Sequence, residues 1–248
     1  MAQYARRSFV DSSGLMPPGV KWLLIANVGI FLLNFLLNIL RIPDPLFLYG
    51  ALVPGQVLGA LAVWQLFTYL FLHGGMLHIL LNMLSLWMFG RELEAAWGTK
   101  RFLQFYFLCG VGAGLCVILA NLIFPSGEMA SRTIGASGAI YGLMLAYAIL
   151  YPDREIIFYF VPMKAKYFVL ILGSISFLLT FTGQESGVSH VAHLGGMIFA
   201  YGYLKSRYVS LDWTGMIERA YKDWKIKRAK RKFEVYMSKH RDRGPYVN

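Results

Sequence analysis

Ile134-Gly135-Ala136-Ser137-Gly138-Ala139-Ile140-Tyr141-Gly142 opens an apolar run that continues to Tyr151 without a single charged residue. At helical spacing, Gly135, Ala136, Gly138, Ala139 and Gly142 leave a bare surface on which neighbouring helices can approach closely. A helix that is apolar all round belongs inside a large core or a membrane. The composition of the whole chain decides between these. With 57% hydrophobic and 15% charged residues in 248 and a mean hydropathy of +0.51, the chain is a membrane protein rather than a soluble domain. The lone polar residue among these small ones, Ser137, then needs a reason.

Working outward, apolar runs of the ~20 residues that a bilayer requires recur along the chain. The first spans about Lys21–Leu40, after a polar arm, residues 1–20, that ends in Pro17-Pro18-Gly19. It is too long for a signal-peptide core and no small-x-small cleavage site follows, so it is expected to be retained. Later spans are predicted at about Met76–Glu94, Phe102–Phe124, Gly135–Tyr151, Tyr167–Phe181 and Val188–Leu204. Residues 41–75 connect the first two. Their densest part, Val57–Leu72, is short for a span and rich in aromatic residues, which favours a partly embedded loop. Residues 205–248 form a polar, basic tail.

The basic residues test this layout. With six spans, 22 of the 24 Lys and Arg fall on one side, and only Arg41 and Arg132 on the other. Counting Val57–Leu72 as a seventh span worsens the best division to 20 against four. Six spans with both termini in the cytosol is therefore the expected topology. The tail also accounts for the net charge of +11, since six of the eight residues Lys225–Lys232 are basic. Next to Trp213 and Trp224, this segment reads as a topology anchor on anionic lipid, not as a nucleic-acid site. The two cysteines, Cys109 and Cys116, lie about 10 Å apart along one helix and cannot pair with each other.

Topology gathers the unusual polar groups. The second, fourth and sixth spans all run from the outer face inward, and each carries its polar residues near its outer end. His78 and Asn82 lie on the second, preceded by His73; Ser137 lies on the fourth, and His190 and His193 on the sixth. Ionisable groups inside a membrane point by default to a functional site. The fourth span, at about 25 Å, is shorter than a ~30 Å core, so Ser137 is expected to be recessed, met by part of the 125–134 loop dipping around water. A serine hydroxyl needs an adjacent base to act as a nucleophile, and His193 reaches a similar depth. Glu92 and Glu94 lie roughly 20 Å or more below His78, so a Ser–His dyad is expected in place of a triad. Tyr141, one turn from Ser137 on the same face, is a candidate to orient the imidazole. His78 and Asn82, spaced i, i+4, together with free N–H groups of the fourth span's first turn, are candidate donors to an oxyanion. Gly196 and Ala200 offer a matching small face on the sixth span.

The same residues admit other readings. Small residues around a serine are usually only a packing face, and Gly-x-Ser-Gly is not the nucleophile elbow, which needs a strand before it. His73, His78, His190 and His193 could be read as a zinc site. There is, however, no His-Glu-x-x-His and no nearby acid to serve as base, so neither metal nor cofactor is expected.

His78-Ile79-Leu80-Leu81-Asn82, Gly135-Ala136-Ser137-Gly138 and Ala192-His193-Leu194-Gly195-Gly196 resemble the three signature motifs of rhomboid intramembrane serine proteases, in that family's order. The resemblance covers about residues 21–204 and implies an all-α, six-helix core with a partly embedded first loop. It implies a Ser137–His193 dyad, an oxyanion site using His78 and Asn82, and Tyr141 stacked on the catalytic imidazole. It implies that Glu94 is a structural acid; Gly135, Gly138, Gly196 and His73, which lie beside these groups in the sequence, are expected to support the site. It implies substrates that are membrane proteins, cut in or near a transmembrane segment. A non-catalytic relative that only binds membrane helices is the alternative; such relatives lack the serine or the histidine. A bacterial plasma membrane is the expected location.

Overall fold

Proline opens a helix readily, because the N–H it lacks would have no partner in the first turn. In a computed structural model of the chain, α1 accordingly runs Pro18–Ile39. The structure describes residues 16–124, 128–158, 161–180, 189–207 and 213–240. Most of the N-terminal arm, part of the 125–134 loop, Val188 at the predicted start of the sixth span and the last residues of the tail lie outside them. The other long helices are α5 (Met76–Trp97), α6 (Thr99–Ile123), α7 (Ser137–Leu150), α8 (Ala165–Thr180) and α9 (His190–Arg207). Each begins within three residues of a span read from the sequence. Two of the six, α1 and α6, are long and apolar enough to cross a bilayer on length and composition alone. Large apolar side chains face outward, with Trp22, Leu32, Phe35 and Leu36 of α1 and Leu170, Ile175 and Leu178 of α8 exposed. That surface belongs to a solvent other than water. The chain is a mostly helical integral membrane protein.

Residues 45–71 fold into short pieces: α2 (Pro45–Gly50), α3 (Pro54–Gly59), α4 (Gln65–Thr68) and a single 3-10 turn, Tyr69–Phe71. The polar residues that interrupt this apolar segment are the fasteners of its turns. Asp44 caps α2 by accepting from the N–H groups of Leu46 and Phe47. Gln65 accepts from Val53 N–H at 3.0 Å and donates to Gln56 at 2.6 Å. Thr68 donates to the Gly50 carbonyl. The α4–turn piece meets α5 at 98°, across only four residues.

Glu94 ties the first three long helices together. Its carboxylate, 2% exposed, accepts from Gly19 N–H and Val20 N–H at 2.7 Å each and from the Thr99 hydroxyl at 2.6 Å. The first turn of α1 has no carbonyls for these N–H groups, and a carboxylate there also answers the helix dipole. Glu92, Tyr147 and Arg154 meet at the same end of the bundle.

Helix α7 is the shortest of the six and the most enclosed. Gly138, Ala139, Ile140, Gly142, Leu143, Met144, Ala146, Tyr147 and Ala148 are all buried. Its glycines take neighbours at backbone range. A side chain at Gly138 would meet Ala113 of α6 at 2.6 Å and the Ala192 carbonyl of α9 at 3.2 Å. One at Gly142 would meet Cys109 at 2.7 Å and the Gly196 carbonyl at 3.2 Å. One at Gly196 would overlap the Gly138 carbonyl oxygen. The bare surface legible in the sequence is the seam along which α6, α7 and α9 close.

Between α7 and α8, where the sequence predicts only a connection, the chain forms an antiparallel hairpin, β1 (Glu155–Phe158) with β2 (Val161–Lys164). It is pinned by Ala165 N–H to the Arg154 carbonyl and by Lys166 to Asp153 at 2.7 Å. Lys166 and then Lys164 hold the Asp153 carboxyl below the usual range. The chain divides into two units between Leu204 and Lys205. In the second, the basic tail is a helix, α10 (Trp213–His240), with Arg228 over the Trp224 ring at 5.2 Å.

Candidate active site

Ser137 is the first residue of α7 and His193 the fourth of α9. Helix α9 is fixed at its start by Ser189, whose hydroxyl oxygen accepts from Ala192 N–H at 3.3 Å and whose carbonyl accepts from His193 N–H, an N-cap. With α7 and α9 drawn together at Gly138 and Gly196, His193 Nε2 lies 2.8 Å from Ser137 Oγ. That is within the reach a general base needs. His193 is buried at 6% exposure, while Ser137 is half-buried. Tyr141, one turn along α7, stacks on the His193 ring with centroids 4.0 Å apart and planes 7° from parallel. The imidazole is thus held on its face and at Nε2.

Gly135 prepares the approach to Ser137. Its φ of +117° lies where residues with side chains are strained, and a Cβ there would stand 2.8 Å from His78 Nε2 and 3.8 Å from Ser137 Oγ. The missing side chain lets the His78 imidazole and the Ser137 hydroxyl flank one space. His78 Nδ1 accepts from Gly74 N–H at 3.4 Å, which leaves the ring proton on Nε2, facing that space. The first bond inside α7 is Ile140 N–H to the Ala136 carbonyl. The N–H groups of Ser137, Gly138 and Ala139 therefore have no helical acceptor.

The strand leading to Gly135 is held by the 45–71 segment. Leu52 and Thr133 exchange both backbone hydrogen bonds, and Gly135 N–H donates to the Tyr69 carbonyl at 2.9 Å. The Tyr69 hydroxyl donates to the Gly110 carbonyl at 2.7 Å. This coupling of the first loop to the serine was not legible in the sequence, because Leu52, Tyr69 and Thr133 carry no motif.

The remaining candidates sit at the margin. Asn82 is buried one turn along α5 and donates to the His78 carbonyl at 2.8 Å, so one amide hydrogen is used within its own helix. His73 is buried with its ring edge-on to His78 at 5.1 Å. His190 meets His193 in the same way at 5.8 Å. Among the described residues, no three His, Cys, Asp or Glu side chains are grouped so as to hold a metal ion. One residue close to the imidazole has no counterpart in the sequence reading: Ser176 of α8, 2% exposed, with Oγ 3.4 Å from His193 Nδ1. The available signal was a hydroxyl in mid-span.

Residues 60–208, more than half of the chain, match the Rhomboid domain family. Among curated proteins, RHOMBOID-like protein 1 of Arabidopsis thaliana is 34% identical over 62% of this chain and 36% of its own length. Rhomboid-like protease 5 of Toxoplasma gondii is 32% identical over 68% of this chain and 20% of its own. Rhomboid protease GluP of Bacillus subtilis is 31% identical over 54% and 24%. The chain thus spans between a fifth and about a third of the length of these three relatives.

Proposed function

The chain belongs to the rhomboid family, and from that premise we propose that it is an intramembrane serine endopeptidase with Ser137 as nucleophile and His193 as general base. The observation that carries this reading is the 2.8 Å contact between His193 Nε2 and Ser137 Oγ, made in a buried setting with the imidazole clamped by Tyr141.

The chemistry follows from these atoms. As Ser137 Oγ attacks the scissile carbonyl carbon, its proton passes to His193 Nε2, and the carbonyl oxygen takes up the negative charge. His78 Nε2–H and the free N–H groups at the start of α7 are positioned to donate to that oxygen, with the second amide hydrogen of Asn82 as a further donor. Collapse of the intermediate breaks the C–N bond, and His193 returns the proton to the leaving nitrogen. Water then attacks the acyl ester, gives its proton to Nε2, and Ser137 recovers it as the acid departs.

Location sets the substrate class. A helix α7 of 14 residues is roughly 21 Å long against a ~30 Å core, which supports a Ser137 recessed below one surface of the membrane. We place both termini in the cytosol and Ser137 toward the opposite face, because Arg91, Arg101, Arg154, Lys164 and Lys166 sit at the far end of the bundle. Substrates are then membrane proteins cut in or near a transmembrane segment. The core is residues 21–204; the basic 205–248 segment rests on anionic lipid, in a bacterial plasma membrane.

The test is cleavage of a transmembrane reporter in proteoliposomes by wild type and Ser137→Ala. A loss of roughly 10³-fold or more is expected, the scale on which nucleophile and base act together. Equal cleavage by both would remove the mechanism. No cleavage by either, with specific binding of the reporter, would favour a helix-binding protein.

A further inference from the structure

Four polar side chains in the apolar helices of this protein donate to their own backbone. Asn27 donates to Leu23, Asn82 to His78, Asn121 to Val117 and Thr180 to Ser176, each to the carbonyl four residues earlier at 2.7–2.9 Å. That is the ordinary behaviour of such residues in a helix surrounded by apolar groups. Ser176 departs from it. Its hydroxyl contacts both leave α8: it donates to the Tyr141 hydroxyl at 3.4 Å and lies 3.4 Å from His193 Nδ1. At 2% exposure it is shielded from bulk solvent.

We infer that Ser176 is a positioning residue, an uncharged third member behind the Ser137–His193 pair. The inference rests on the reading of His193 as base, and it names what orients that base. For His193 to accept the Ser137 proton, Nε2 must be bare and the ring proton must sit on Nδ1. Ser176 Oγ is the acceptor for that proton, and its own hydrogen goes on to Tyr141. One directed chain results: Nδ1–H to Ser176 Oγ, then Ser176 O–H to the Tyr141 oxygen. Tyr141 in turn lies flat on the imidazole, so face and edge of the ring are fixed by two residues that are bonded to each other. Among the described residues no carboxylate bonds to His193, whose side-chain hydrogen-bond partners are Ser137 and Ser176; Glu92 and Glu94 lie at the other end of the bundle. A neutral hydroxyl selects the tautomer without burying a charge.

The experiment compares Ser176→Ala and Ser176→Thr with wild type in proteoliposomes, alongside 15N NMR of the His193 ring in labelled protein. Ser176→Ala is expected to lower kcat by about 2- to 12-fold, the worth of one neutral hydrogen bond, with KM unchanged. The His193 resonances should move away from the Nδ1–H tautomer. Ser176→Thr retains the hydroxyl and should restore both readouts. A Ser176→Ala protein with wild-type kcat and an unaltered tautomer would overturn the inference while leaving the dyad intact. So would equal losses in Ala and Thr. Cleavage that survives Ser137→Ala would instead remove the reading on which it rests.

Discussion

Gly196→Ala adds one methyl group at the seam that makes the site. The new Cβ would fall on the Gly138 carbonyl oxygen, inside the 3.0 Å that such atoms keep. Neither side can yield by rotating a side chain, because the obstacle is backbone. Helix α9 would have to withdraw from α7 by about 1 Å or more, and His193 lies less than one turn from Gly196 on the same helix. The 2.8 Å contact with Ser137 would then stretch beyond hydrogen-bond range. Overpacking of this kind costs about 1–3 kcal/mol of stability, and a 1 Å misplacement at the chemistry can cost about 10²-fold in rate. Gly202→Ala is the control: it lies on the same helix with nothing within 4 Å of the added atom. Both variants would be assayed for reporter cleavage and thermal unfolding in one lipid composition. Gly196→Ala should lose about 10²-fold in kcat, and Gly202→Ala should match wild type. Wild-type turnover and stability in Gly196→Ala would refute the claim that the Gly138–Gly196 contact sets the dyad distance.

Two further outcomes are expected. Gly135→Ala places a side chain at φ +117° and 2.8 Å from His78 Nε2, so cleavage should fall by at least ~10-fold, the equivalent of about 1.4 kcal/mol and within the cost of such strain; unchanged kinetics would dismiss the role given to that cavity. Glu94→Gln keeps the shape but puts an NH2 against the donors of Gly19, Val20 and Thr99, and chemical denaturation should show a loss of about 2–3 kcal/mol.

The helices and the meeting of Ser137 with His193 were legible because both are written in strong local signals. Apolar length marks α1 and α6. Ser137 and His193 stand out as polar groups where polarity is costly. What was hidden lacks such a signal. The Leu52–Thr133 pair and the Tyr69–Gly135 bond are backbone contacts, which any residue could supply, so residues 41–75 read only as an apolar loop. The hairpin Glu155–Lys164 has no turn signature of the Asn-Gly kind. Ser176 carries no such signal, because a hydroxyl in a span usually returns to its own helix, and only the rotation of α8 against α7 turns it toward Nδ1. Asn82 shows the reverse: its spacing from His78 suggested a shared target, yet one amide hydrogen is held by the His78 carbonyl.

The central claim is that His193 makes Ser137 a nucleophile. Its most direct measurement is the intact mass of the lipid-reconstituted protein after exposure to a fluorophosphonate, with the adduct located by peptide mapping. The account predicts one adduct, on Ser137, absent in Ser137→Ala and formed at least ~10²-fold more slowly in His193→Ala, the lower end of what a general base contributes. Labelling of His193→Ala at the wild-type rate, or an adduct on another residue, would contradict it.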